Sequence, residues 1–250
     1  MSLFDKISVI LFDLDNTLVF MDEQKFVLSY ATNAASYFTD VFEDPQTFIH
    51  HLLAGTSHMV STKSNKTNIE KFFDYFIPQC HGLSKEDIYD RFLNFYTNDF
   101  DKVKSIVTTS PFAPKIFDKL EGSYDLVIAT NPLFPEIATK KRIEWAGLGS
   151  FIDKIKLITH GEQFTTTKPD LSYYKEILNF IGKKASDCLV VGNDLYNDGV
   201  ASMMGMKFYQ ITDKDKDSDF LSIETRKGLE RDQLKVSGSG TLMDFYKLLE

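Results

Sequence analysis

Residues 7–18, ISVILFDLDNTL, decide how the rest of the chain is read. Ile7, Val9, Ile10, Leu11 and Phe12 form a β-branched, apolar run, the pattern of a strand buried on both faces. The run ends on Asp13 and Asp15. Residues two apart in an extended chain point the same way, so both carboxylates can project from the strand end into one small space. Such a pair repels unless a cation or a shared proton lies nearby. A polar turn closing a strand would read the same way, because Asp, Asn and Thr are ordinary turn formers. The residues downstream decide between the two.

After Leu18 the apolar spacing lengthens from two towards the helical value. Phe26, Tyr30, Ala34, Tyr37, Phe38 and Val41 recur on one helical face until Pro45 breaks it. A second helix is expected from Pro45 to about Ala54, continuing towards Met59. Thr67 to Glu70 is a capping-box pattern opening a third helix that Pro78 stops, and Ser84 caps a fourth. This block carries no strand signal. Its polar stretch Thr56, Ser57, His58, Lys63, Ser64 and Asn65 reads as a loop that could face a substrate.

From Ser110 onward strand and helix alternate. A short helix to Leu120 precedes a strand at Tyr124–Ala129, and a helix at Lys140–Ala146 precedes a short strand at Ile155–Ile158. A helix at Leu171–Ile181 then leads to strands at Cys188–Val191 and Phe208–Ile211. Asp213–Asp219 reads as a solvated charged loop, and Ser237–Gly240 precedes a short amphipathic helix. The expected fold is α/β: a doubly wound, parallel, Rossmann-like sheet formed by residues 1–18 and 108–250. Residues 19–107 are expected to form an inserted helical cap domain. An insertion just after the first strand lands above the strands' carboxyl ends, where ligands of open α/β sheets bind. A helical block that merely stabilises the core would have the same sequence pattern.

Composition narrows the function. The 250 residues carry a net charge of −8, which argues against a nucleic-acid groove or an anionic membrane surface. Two cysteines are too few for a disulfide framework, and the five histidines show no metal-ligand spacing. No spanning segment or signal peptide is evident, so a cytoplasmic monomer or homodimer is expected. No Gly-rich phosphate loop is present.

The strands after the block end in reactive residue types. Tyr124–Ala129 runs into Thr130-Asn131, and Cys188–Val191 runs into Gly192-Asn193-Asp194, with Asp198 four residues on. Thr166-Thr167-Lys168-Pro169-Asp170 opens the intervening helix. In a parallel sheet these ends gather beside Asp13 and Asp15. Several carboxylates suit a hard cation such as Mg²⁺, while a lysine, a hydroxyl and exposed N–H groups suit a phosphate. A polar surface would also explain each residue singly: Lys168 as a surface lysine, Asp198 as a helix cap.

In order, Asp13-Leu-Asp15-Asn-Thr-Leu18, Thr130-Asn131, Lys168-Pro169 and Gly192-Asn-Asp194-x-x-x-Asp198 resemble the four motifs of the haloacid dehalogenase-like hydrolase superfamily. The placement of the insertion is similar to that of members with a C1-type cap. The resemblance implies a Mg²⁺-dependent phosphatase that hydrolyses a small phosphorylated metabolite through an aspartyl-phosphate on Asp13. Asp15 would be the acid and base, and Thr130 and Asn131 would hold the phosphoryl oxygens. Lys168 would neutralise charge. Asp13, the backbone of Asp15 and Asp194 would bind Mg²⁺, with Asn193 and Asp198 supporting them from behind. Two departures stand out. Asn16 replaces a frequent glycine, and Asn193 stands where an acid usually follows the glycine, so Asn193 is the alternative ligand to Asp194. A phosphomutase similar to β-phosphoglucomutase, or a non-catalytic binding protein on the same scaffold, would carry much the same residues. The dehalogenases of the superfamily lack the second acid, which favours phosphoryl chemistry.

Overall fold

The computed structural model describes residues 2–213 and 229–250. All of the Asp213–Asp219 loop except its first residue lies outside them. The strands are β1 (Val9–Phe12), β2 (Val19–Met21), β3 (Val107–Thr109), β4 (Asp125–Ile128), β5 (Leu157–Ile158), β6 (Cys188–Gly192), β7 (Lys207–Ile211) and β8 (Gly238–Gly240). The helices are α1 (Glu23–Ala35), α2 (Pro45–Ser61), α3 (Asn68–Phe76), α4 (Lys85–Asn98), α5 (Phe112–Leu120), α6 (Glu136–Trp145), α7 (Leu171–Ile181) and α8 (Leu242–Lys247).

Six strands form one sheet in the order β5-β4-β1-β6-β7-β8, and every neighbouring pair is parallel. β1 lies inside it with β4 on one side and β6 on the other, so the chain changes direction across the sheet at β1. That is where an open α/β sheet leaves a crevice. All four β1 residues are completely buried. Ile10 and Phe12 join one core cluster and Val9 and Leu11 the other, as alternation across a sheet covered on both faces requires.

The helical insertion α1–α4 follows. Asp44 caps α2 through the N–H groups of Gln46 and Thr47, and Pro45 sits in the first turn, where its missing N–H costs nothing. Thr67 with Glu70 and Ser84 with Asp87 form complete capping boxes at α3 and α4. α1 stops at Ala35 rather than reaching Val41. Beyond it Phe38 remains buried, its ring 5.0 Å from both Phe48 and Phe92, so the apolar spacing there reports burial rather than helix. Helix α2 extends to Ser61, so Thr56, Ser57 and His58 are helical and not part of a loop.

Two strand pairings also depart from the sequence reading. β2 and β3 pair antiparallel, Val19 opposite Thr109, so the chain enters and leaves the helical block through two adjacent strands. β8 extends the sheet beyond β7 through Gly238 and Gly240. A Cβ on Gly240 would come within 2.6 Å of the Tyr209 hydroxyl, so the side chain of β7 claims the space that a larger residue would need. Among the described residues no helix is long and apolar enough to cross a membrane.

Candidate active site

The site forms where β1, β4 and β6 end. In register, Phe12 lies opposite Ile128 and Val191, so the next residues, Asp13, Ala129-Thr130 and Gly192-Asn193, emerge side by side. Asp13 stays in the ladder through its N–H to the Val191 carbonyl at 2.9 Å. The chain then turns. Asn16 takes a left-handed conformation, φ 58°, which asparagine tolerates better than most residues, and this explains how it substitutes for glycine. Its side chain secures the turn, Oδ1 accepting the Met21 N–H and Nδ2 donating to Glu23.

Both oxygens of Asp13 are engaged. Oδ1 accepts from Lys168 Nζ at 2.8 Å, and Oδ2 accepts from Thr17 Oγ1 at 2.9 Å. Lys168 continues to Asp198 Oδ1 at 2.5 Å, and the other Asp198 oxygen accepts the Asp194 N–H. Lys168 and Asp198 are almost wholly buried. Burial disfavours the Lys168 ammonium, yet the Asp13 and Asp198 carboxylates override it and hold its pKa well above the ordinary lysine value. Burial likewise pushes the Asp198 carboxyl up, against the pull of Lys168. Asp198 is therefore the inner partner of a buried triad and makes no side-chain cap for the turn that follows it. Gly192 is what allows this approach: a Cβ there would lie 2.3 Å from Asp198 Oδ2.

Lys168 is delivered by a braced loop. Glu176 of α7 accepts hydrogen bonds from the Thr165 N–H and from the hydroxyls of Thr165 and Thr166, and Asn131 Oδ1 accepts the Lys168 N–H at 3.1 Å. Asn131 thus positions the lysine as well as bordering the cavity. Thr130 is buried, and its carbonyl accepts from Tyr173 and Thr159, which leaves its side chain on the cavity wall.

Asp15 is half-buried and ion-paired with Arg142 of α6. Burial raises the Asp15 carboxyl above the ordinary range; the Arg142 guanidinium opposes the rise and the Asp13 charge adds to it. Asp15 Oδ1 and Arg142 Nε are buried and have no hydrogen-bond partner among the described residues. The Arg142 guanidinium also lies 4.6 Å over the Phe134 ring. The sequence reading missed Arg142 and Thr17. Arg142 had one detectable signal: it follows Ala138 by four residues, so it falls on the helix face that Ala138 buries.

The fourth motif brings two oxygen-bearing side chains to the cavity, Asn193 and Asp194. Asp194 Oδ1 accepts the N–H groups of Tyr196 and Asn197. Asn193 Oδ1 lies 3.3 Å from Thr17 Oγ1, the hydroxyl that also holds Asp13. Among the described residues no three acidic, histidine or cysteine side chains converge as a metal-binding cluster. The available donors (the Asp13 carboxylate, the Asp15 carbonyl and the Asn193 amide oxygen) are all hard oxygens of the kind Mg²⁺ takes. Asp13 and Asp198 share one ammonium, so an arriving phosphate would meet excess negative charge that a divalent cation offsets. The donor set therefore fits such an ion, with less charge than three carboxylates would supply.

A cavity of about 570 Å³ opens on Asp13, Asp15, Thr130, Asn131 and Lys168 and continues between α1, α2, α3 and α4. Thr56 and Ser57 line it, whereas His58, Lys63, Ser64 and Asn65 do not.

No curated protein matches the chain in sequence. Among solved structures it is similar to the 2-haloacid dehalogenase of Pseudomonas syringae pv. Tomato DC3000, at 17% identity and TM-score 0.57, covering 97% of this chain and 98% of that one. A HAD phosphatase from Thermococcus onnurineus aligns at 16% identity and TM-score 0.55, covering 97% and 98%. The putative HAD-hydrolase YfnB of Bacillus subtilis, solved bound to magnesium, aligns at 16% identity and TM-score 0.52, covering 98% and 99%. These likenesses show a shared fold. The family model for haloacid dehalogenase-like hydrolases matches residues 7–201, and the chain, with its α1–α4 helical cap, belongs to that family.

Proposed function

We propose that the chain is a Mg²⁺-dependent phosphatase that hydrolyses a phosphomonoester through an aspartyl-phosphate on Asp13. The observation that carries this reading is the pair of acids with separate environments. Asp13 is oriented on both oxygens by Lys168 and Thr17, while Asp15 is held apart by Arg142 with its carboxyl biased towards the protonated form. Two carboxyls held in such different surroundings divide the work into nucleophile and acid.

Asp13 attacks phosphorus, and Asp15 protonates the departing oxygen, then takes a proton from the water that hydrolyses the acyl phosphate. Lys168 stays charged and offsets the repulsion between Asp13 and the phosphoryl group. Thr130 and the backbone at Asn131 border the space for the phosphoryl oxygens. Asp13, the Asp15 carbonyl and Asn193 would hold Mg²⁺, which when bound supplies charge neutralisation at the phosphoryl oxygens. Asp198 fixes Lys168 from behind. Both cysteines, Cys80 and Cys188, are buried free thiols, which accords with a cytoplasmic setting.

Purified protein with Mg²⁺ should hydrolyse p-nitrophenyl phosphate, and Asp13→Asn should reduce turnover by roughly 10⁴-fold or more. Inactivity of the wild type across a broad phosphomonoester panel would count against the reading. The neutral Asn193 favours one second reading, a non-catalytic binding protein on the same scaffold. Beryllofluoride with Mg²⁺ would then leave the melting temperature unchanged, whereas a working nucleophile gains stability by ligand linkage.

A further inference from the structure

We infer that the substrate is a phosphomonoester whose leaving group is an apolar alkyl or aryl body, held by the cap end of the cavity. The inference rests on the phosphatase reading and specifies its substrate. The cavity has two chemically distinct ends. Its charged lining groups, among them Asp13, Lys168 and Arg142, come from the strand-end loops, from α6 and from the first residue of α1. Among the described residues, α2, α3 and α4 contribute no charged side chain to it. α3 and α4 carry charges elsewhere, such as Asp74, Glu86 and Arg91, so their uncharged lining belongs to one face of each helix, while α2 holds no acidic residue, lysine or arginine on any face.

The polar groups that α2, α3 and α4 bring to that side are a handful of hydroxyls, several of them engaged within the cap. Thr56 Oγ1 donates to the Leu52 carbonyl at 3.0 Å, and Ser61 Oγ donates to the Ser57 carbonyl at 2.8 Å. The hydroxyls of Tyr30 and Tyr96 bond to each other at 2.8 Å. A sugar phosphate would therefore find few groups in the cap to pair its own hydroxyls, at a cost that disfavours it. An apolar body instead gains by contact with Leu53, Val60 and Phe72. Tyr89 and Leu93, 43% and 40% exposed, also line the cavity and form an apolar lip where it meets solvent. A volume of about 570 Å³ lies in the range that encloses a drug-sized ligand. In turnover the P–O bond to the alkyl or aryl oxygen breaks as the Asp13–phosphorus bond forms, and the leaving oxygen receives the Asp15 proton. Water then attacks phosphorus and gives a proton to Asp15 as the Asp13 oxygen–phosphorus bond breaks, which frees the Asp13 carboxylate and releases inorganic phosphate.

The test uses n-alkyl phosphates from ethyl to decyl below micelle-forming concentrations, with 1-naphthyl phosphate, glycerol phosphate and glucose 6-phosphate. The matching alkyl phosphonates serve as non-hydrolysable ligands in calorimetry. Each added methylene should raise kcat/KM by about 3- to 4-fold until the cavity is filled, and phosphonate Kd should fall in parallel. Val60→Glu should erase the advantage of decyl over ethyl; Val60→Phe, which shrinks the cavity without adding charge, should shift the preference to shorter chains and serves if the first variant fails to fold. Hydrolysis with no chain-length dependence, or with the polar phosphates preferred, overturns the inference and leaves the phosphatase reading standing. No hydrolysis with chain-dependent phosphonate binding overturns the phosphatase reading while the apolar ligand class survives. Neither hydrolysis nor binding overturns both.

Discussion

Arg142 reaches from α6 to form an ion pair with Asp15, the second acid of the Asp-x-Asp motif, while itself almost wholly buried. The arginine opposes the upward push of burial on the Asp15 carboxyl. Replacing it with Gln should let that carboxyl rise further, so Asp15 keeps its proton to higher pH. The basic limb of the kcat/KM profile should move to higher pH, as measured across a buffered series. Arg142→Met should also destabilise, by less than the roughly 3–5 kcal/mol of a fully buried broken pair, because half-buried Asp15 can take up a proton. Urea denaturation would measure that loss.

Asn193→Asp adds a charge to the oxygen donors beside Asp13. Mg²⁺ affinity measured by calorimetry on the resting protein should rise by about 10-fold or more. Asp194→Asn should leave that affinity near the wild-type value, since Asp194 Oδ1 is spent on the N–H groups of Tyr196 and Asn197. The reverse ranking would return the ligand to Asp194.

Gly192→Ala places a methyl group where Asp198 now sits, 2.3 Å from its Oδ2. Asp198 must move and Lys168 with it, so kcat should fall at least about 10-fold, for a stability loss of about 1–3 kcal/mol from overpacking. Wild-type kcat with unchanged melting would show that the triad tolerates displacement.

Asp40 and Arg91 tie the segment after α1 to α4 by two parallel hydrogen bonds, and the guanidinium holds the Asp40 pKa down at about 2. A depressed folded-state pKa contributes stability above the unfolded value near ~4. That contribution is lost as pH falls through about 2. Asp40→Asn should therefore melt below wild type at pH 7, with the difference closing between about pH 4 and 2. A constant difference down to pH 2 would contradict the pairing.

The parts of the fold carried by long apolar runs or by local capping chemistry are readable before any coordinates. β1, β4 and β6 are such runs, and α7 begins and ends at its sequence-expected residues, Leu171 and Ile181. β2, β3 and β8, three residues each, are too short to show periodicity, and their pairing is decided by partners distant in the chain. The same distinction holds in the site. Asp13 and Lys168 could be found from their place at a strand end and before a helix. Thr17 gives less away: its contact with Asp13 lies within the motif, but its approach to Asn193, 176 positions away, has no local signal. The choice between Asn193 and Asp194 is equally closed to sequence, which places both at the same strand end.

Helix α3 begins against the loop that delivers Lys168. Asn68 donates from Nδ2 to the carbonyls of Pro132 and Thr166, its N–H meets the Phe164 carbonyl at 2.8 Å, and the next N–H, from Ile69, meets the Gly161 carbonyl at 2.9 Å. Lys71 adds a bond to the Thr165 carbonyl at 2.6 Å. These contacts stitch one wall of the chamber to the segment bearing its central cation. A swing of the cap that preserves this stitching must pivot about α3, and Tyr89 of α4, its ring 6.1 Å from that of Phe73, packs on that pivot.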